Sequence, residues 1–304
     1  MYRAKRSWWL ALPAGLALTV FVLAPLVSVL RYATWEWSGL SDPTPVGLGN
    51  FKFLLADTGL RRALYATLEF ALLMLPTFLW LSRTIAVAIH GVRLERFIKA
   101  LLFLPGLITV GGSAIAWYSL YNPDYGVVRE LTGLALPWST KPWAGLVYIV
   151  LFTLWQSTGY GVMVVSAALK GIPSYVKEAA RIDGANEAQV QRLIVGPLLR
   201  PALLFLVVIG TVFAIQSYTA VFLLTKGAPF GSTRVIGYYL YETAFERLQL
   251  GYGAALTILV LCITLLVAAL QARILLVLCH PIIDTAPRCS LGSKVCQQSD
   301  TLSP

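Results

Sequence analysis

Ionisable and amide side chains are scarce in this chain, so each one inside an apolar run is a candidate for chemistry. Glu69 and Arg83 share one hydrophobic run, fourteen residues apart. That is about 21 Å along a helix, too far for the two to pair. Charges at such depth are functional candidates by default. For Glu69 two readings stay open, a place in an external vestibule or simple placement at the membrane interface. Arg83 is expected to extend its guanidinium toward the near surface. Two further clusters carry uncharged groups: Trp155, Gln156, Ser157 and Tyr160, then Gln216, Ser217 and Tyr218. Carboxamides are costly in lipid, so Gln156 and Gln216 should face the bundle interior or a wet cavity. The competing role is hydrogen bonding between helices.

Other chemistry is absent by pattern. No G-x-x-x-x-G-K-[ST] loop occurs anywhere, so nothing cradles nucleotide phosphates. Cys279-His280, Cys289 and Cys296 have metal-capable types, but their spacing is not that of a zinc module. No nucleophile with a base, and no acid–base pair, stands out. A cofactor site is not expected.

The elements that must position these groups are membrane spans. Of the 304 residues 58% are hydrophobic and only 12% charged, about half the charge a soluble surface carries. Six apolar runs approach the ~20 residues needed to cross a bilayer. They are Trp8–Leu30, Ala66–Ile89, Leu101–Tyr121, Trp143–Leu169, Leu203–Leu224 and Tyr252–Leu278. In lipid such runs have to be helices. The first follows Arg3, Lys5 and Arg6 but is too long for a signal h-region, and no small-residue cleavage site follows it. It reads as a retained span.

Lys and Arg are more numerous at the termini and in the 90–100 and 170–200 loops than in the alternate loops. The positive-inside rule therefore predicts cytoplasmic termini. Topology then explains the net charge of +10, and no nucleic-acid partner is implied. The tail cysteines lie on a reducing side, where disulfides are rare. Residues 1–278 read as the membrane domain and 279–304 as a disordered tail.

Outside the membrane, Leu48–Leu55 reads as an interfacial amphipathic piece with Asn50 as N-cap and Phe51, Leu54 and Leu55 on one face. Asn122-Pro123-Asp124-Tyr125-Gly126 and Lys226–Thr233 are turn signals. Aromatic residues at span ends, Trp117 and Tyr121 among them, read as an anchoring belt.

The segment 170–200 differs from these. Pro173 and Ser174 open a helix, Val176, Ala179, Ala180 and Ile182 give it an apolar face, and Gly184 stops it. Asn186 with Gln189 has the capping-box pattern for a second helix, expected to end near Gly196-Pro197. Glu178-Ala179-Ala180, then Gly184, Ile194 and Pro197, stand at the spacings of the cytoplasmic signature of bacterial binding-protein-dependent ABC importer permeases. At these residues the chain closely resembles that family. Gly196 replaces the usual Leu. Asp183-Gly184-Ala185-Asn186 resembles its carbohydrate-uptake branch. Further similarity lies at Gly47–Phe51, Asn122–Gly126 and Leu224–Pro229, where Ala228 replaces a common Gly, and Thr219 stands where many relatives have Asp. The matches run from about residue 10 to 272.

The resemblance implies an all-α, six-span type I ABC importer permease fold and no ATPase site in this chain. It implies four kinds of partner: a second, unlike permease, a cytoplasmic ATPase dimer, an extracytoplasmic sugar-binding protein and membrane lipid. The docking segment would be 171–197, with Glu178, Ala179, Ala180, Asp183, Gly184, Ile194 and Pro197 as coupling residues. Glu178 would pair with a basic group on the ATPase, and Arg181 with Asp183 would pair across the rim. Ile182 and Ala185 would supply packing. Trp155, Gln156, Tyr160, Gln216 and Tyr218 would line the sugar path. The reading set against it is an ion-coupled secondary transporter with Glu69 as proton carrier. That reading leaves the docking segment without a purpose, and no internal repeat supports it.

Overall fold

The computed structural model describes residues 8–133 and 136–284, with side chains described from Leu12 to Ile274. Arg3, Lys5, Arg6, Cys289 and Cys296 lie outside the described residues, and the side chains of Cys279 and His280 lie outside those described.

The chain enters as α1 (Trp8–Leu18), passes through a π-turn at Thr19–Leu23 and continues as α2 (Ala24–Tyr32). None of the apolar window of this first span is buried within the chain. Two residues of β1 (Trp35–Glu36) then pair antiparallel with β2 (Thr44–Pro45), placing Trp35 opposite Pro45. The amphipathic piece is α3 (Gly49–Ala56). Asn50 is not its cap. It sits inside the first turn and donates from Nδ2 to the carbonyls of Ala33 and Trp35 at 3.0 and 2.9 Å. Leu54 is buried, whereas Leu55 is 86% exposed.

The core is built on α4 (Thr58–Ile89) and α8 (Pro142–Lys170). Along α4 the buried residues Ala66, Phe70, Met74, Phe78, Ser82 and Ala86 fall every fourth position, one stripe of a 3.6-residue helix. That stripe meets Phe152, Val162 and Val165 of α8.

The run expected at Leu101–Tyr121 is not a straight span. It is α5 (Glu95–Leu107) and α6 (Val110–Leu120), bent by 95° at Ile108-Thr109. Ile108 is extended, and Thr109 begins α6 as an N-cap, its Oγ1 accepting from Gly112 N at 3.4 Å. Pro105 and Gly106 immediately precede the break. The turn at Asn122 forms as the residues suggest, its Oδ1 accepting from Asp124 N at 2.9 Å. It leads into α7 (Val127–Thr132). The aromatic residues here pack on one another: Trp138 stacks on Tyr148 at 4.8 Å and donates to the Tyr121 carbonyl, and Trp117 packs against Phe152.

After α8 come α9 (Ser174–Ile182) and α10 (Glu187–Gln189), a π-turn at Val190–Val195, then α11 (Gly196–Ile215). From Glu187 to Ile215 the helix is continuous. The expected stop at Gly196-Pro197 does not occur. Gly196 N–H reaches back five residues to the Gln191 carbonyl, so the wider turn has already loosened the ladder where proline would break it. The run read as Leu203–Leu224 is also divided, ending at Ile215 and resuming as α12 (Tyr218–Leu224). Finally α13 (Ile236–Tyr241) and α14 (Leu250–Asp284) close the bundle. The last helix runs past Cys279, into the segment expected to be a tail. The described residues thus hold five helices able to span a bilayer, or six with the bent pair.

Candidate functional site

Two groups of the predicted residues come together, at different depths. The first is the elbow between α9 and α10. The N–H of Ala185 bonds the carbonyl of Ala180 at 3.0 Å, and that of Gly184 bonds Arg181 at 3.1 Å. This is a Schellman closure, and it requires the left-handed φ of +85° at Gly184. The capping box at Asn186 is complete: Asn186 Oδ1 accepts from Gln189 N, and Gln189 Oε1 from Asn186 N, at 2.9 and 2.8 Å. A salt bridge of 3.0 Å from Arg181 to Glu187 spans the bend. Arg181 is therefore not paired with Asp183, as expected from sequence; its partner lies across the elbow within this chain.

The residues expected to couple divide into two faces. Glu178, Ala179, Asp183 and Gly184 are exposed, whereas Ala180 is buried and Ile194 and Pro197 are partly buried. Ala180, Val190 and Val195 belong to the main core, with Ala185 and Ile194 packed on it. Ala185 is thus turned inward rather than outward. Ile182 stands 86% exposed, joined by Tyr175 at 68% and Leu193 at 67%. The last two escaped the sequence reading. Their signal was the placement of large apolar residues among charged neighbours. Arg83 ends beside Gly196, whose Cβ, were there one, would lie 3.4 Å from the guanidinium. Glu69 is exposed on α4.

The second group surrounds a cavity of about 550 Å³ between the two helix breaks. Gln156, Tyr160 and Gln216 line it, as expected. Trp155 does not; it lies against Trp117, ring centres 5.4 Å apart, in a separate apolar cleft. Consecutive residues on a helix point about 100° apart, and that step carries Trp155 past the cavity edge while Gln156 and Ser157 face it. Tyr218 also lies elsewhere, stacked on Tyr241 at 5.9 Å. Its neighbours Ser217 and Thr219 line the cavity instead, together with Thr109. Gln156 holds the break open: its Nε2 donates to the freed Ile108 carbonyl at 3.3 Å and to Ser113 Oγ at 3.1 Å. The helices approach closely there because Gly159 faces the backbone of Leu102 and Phe103.

At the far end, Asp57 caps α4 through Gly59 N at 2.8 Å and accepts hydroxyl hydrogen bonds from Tyr239 and Tyr252. Burial raises this carboxyl, but the two phenols and the backbone N–H groups outweigh it and hold it below its ordinary value. Burial, then the Asp57 carboxylate, push the Tyr239 hydroxyl up to about 12, so it remains a donor.

Comparison with known proteins agrees with this architecture. A family profile described as "Binding-protein-dependent transport system inner membrane component" matches residues 54–275. The sn-glycerol-3-phosphate transport system permease protein UgpA of Yersinia pestis is 30% identical over 271 residues, 87% of this chain and 92% of its own. A probable starch degradation products transport system permease protein, AmyD of Thermoanaerobacterium thermosulfurigenes, is 27% identical over 269 residues, covering 87% and 91%. Among solved structures, a bacterial ABC transporter involved in the import of the acidic polysaccharide alginate superposes with a TM-score of 0.74 at 22% identity, over 89% of this chain and 97% of that one.

Proposed function

The chain belongs to the binding-protein-dependent transport system inner membrane components, and from that premise we propose that it is a permease subunit of an ATP-driven carbohydrate importer. It pairs with a second, unlike permease. It receives sugar from an extracytoplasmic binding protein and docks a cytoplasmic ATPase through 171–197, with its own termini cytoplasmic. Relatives named for glycerol phosphate and for starch products support the substrate class. The excess of Lys and Arg at α9 and on the loops of the same side supports the orientation.

The observation that carries the reading is the elbow. Its outer face, Glu178, Ala179, Asp183 and Gly184, is exposed, while its inner face is fixed in the core. The helix that leaves it continues unbroken to the edge of the cavity at Ile215. Docking on one end therefore bears mechanically on the other. Exposed apolar residues Tyr175, Ile182 and Leu193 supply packing for a partner, which outweighs surface ion pairs worth about 0–1 kcal/mol each.

The test is uptake in proteoliposomes holding this chain with its partner permease, ATPase and binding protein. Sugar accumulation is expected only with ATP on the ATPase side. Accumulation driven by a proton or sodium gradient without ATP would replace this reading with the ion-coupled carrier.

A further inference from the structure

We propose that the cleft between the start of α5 and the end of α8 holds one anionic phospholipid of the leaflet on the elbow's side. On the orientation proposed above that leaflet is the cytoplasmic one; the lipid site itself does not depend on what is transported. The cleft has a volume of about 500 Å³, and its charge is graded along its length. Arg96, Ala100 and Phe103 follow one another on α5 at helical spacing, and Lys170, Ala167 and Met163 do the same on α8. Each set lies on one helix face. Each runs from a cation at the end of the span to a large apolar side chain seven residues deeper, about 10 Å along the helix. The two alanines leave the groove open between these ends.

At the charged end Lys99 joins Arg96 and Lys170 in the lining, and no Asp or Glu lines the cleft. One carboxylate stands behind these three cations: Glu95 holds Lys99 and reaches Lys170 at 3.6 Å. Positive charge is left over, and Arg96 is exposed with no ion-pair or hydrogen-bond partner among the described residues. A basic pocket between spanning helices at a membrane surface suits an acidic headgroup. Ser166 supplies an independent observation. It lines the cleft one turn below Lys170 and is only 2% exposed, yet its hydroxyl has no hydrogen-bond partner among the described residues. Ser157 of the same helix, by contrast, donates to its own backbone at the Thr153 carbonyl, 2.7 Å away. A buried hydroxyl left unpaired is unfavourable, and a phosphate or ester oxygen in the groove would accept its proton. A free phosphate would use the cations but leave Phe103 and Met163 uncovered, whereas an acyl chain covers both. A zwitterionic lipid would bring its own ammonium against the three cations.

The experiment is native mass spectrometry of this chain purified with its co-expressed permease and ATPase. The probes are dioleoylphosphatidylglycerol and dioleoylphosphatidylcholine at equal concentration. Wild type is expected to retain the anionic lipid preferentially. Arg96→Gln is expected to lower that retention about fivefold, equivalent to the roughly 1 kcal/mol of one interfacial cation. Met163→Trp fills the apolar end without touching a charge and is expected to lower it as well. An unchanged elution profile shows that each complex is intact. Equal retention of the two lipids by wild type overturns the site, as does equal retention of phosphatidylglycerol by wild type and Arg96→Gln. Displacement by inorganic phosphate, with Met163→Trp as competent as wild type, overturns the lipid in favour of a free phosphate. Retention by the permease pair that disappears when the ATPase is bound gives the cleft to the ATPase instead. Uptake that needs no ATP would sink the importer reading alone and leave this site standing.

Discussion

Gly184→Arg and Gly184→Ala impose the same backbone strain on the elbow and differ in what projects from it. Gly184 holds φ +85°, where an L-residue costs about 1–2 kcal/mol. A Cβ built there meets no atom of the chain within 4 Å, so neither side chain encounters an internal obstacle. That cost is small beside the roughly 5–15 kcal/mol that holds a domain folded. Both variants are expected to insert, elute as the wild type does, and melt within a few degrees of each other. The arginine, however, extends into the open space where we place the ATPase. Capture of the ATPase on the tagged chain is expected to fall at least tenfold below the alanine variant, about 1.4 kcal/mol or more of docking energy. Co-purification normalised to inserted protein measures this, with ATP-driven uptake in parallel. Equal capture by the two variants would refute the assignment of this surface.

Three other perturbations probe the scaffold. Gly159→Ala adds a methyl that runs into the Leu102 carbonyl and comes 2.8 Å from the Phe103 Cα; backbone cannot yield, so overpacking of about 1–3 kcal/mol should exceed the ~1 kcal/mol helix gain. A lower melting temperature in detergent is expected, and an unchanged or higher one refutes the crossing. Gln156→Leu removes the donors to Ile108 and Ser113 and should cost about 1 kcal/mol, with faster hydrogen exchange at residues 108–113; unchanged exchange there refutes the tie. Asp57→Asn weakens the capping network by about 1 kcal/mol. Because the folded pKa of Asp57 is lowered, its stabilisation is present above the ordinary carboxylate range and is lost as pH falls from about 4 toward the folded value. The wild-type melting temperature should drop more steeply than that of Asp57→Asn between pH 5 and 3, by differential scanning fluorimetry; parallel curves contradict it.

The elbow was legible because its instructions are local. The glycine, the capping pair and the alanines lie within a few residues, and each acts on its own backbone. The spans were legible as apolar mass, for the same reason. What escaped was direction. An apolar run carries no mark of a 95° bend, and the tie that stabilises the bend comes from Gln156, which lies on another helix. Trp155 and Gln156 were equivalent as cavity candidates until a helix phase separated them. Gly196-Pro197 read as a stop because a one-residue change of hydrogen-bond register, the π-turn before it, has no reliable residue signature. Asn50 shows the same limit, since its partners Ala33 and Trp35 are distant in sequence.

The seamless helix from Glu187 to Ile215 spans 29 residues, about 43 Å at 1.5 Å per residue. No break in the helix separates its two ends, although the π-turn at Val190–Val195 widens its first turns. Tilt imposed at the elbow is therefore carried along the helix toward Gln216. On the proposed assignment of the elbow to the ATPase and the cavity to sugar, their free energies are linked in both directions: whatever the ATPase does to the affinity of the cavity, a sugar there does in equal measure to the grip of the ATPase. An empty transporter and a loaded one should therefore differ in how tightly they hold the motor, before any nucleotide is spent.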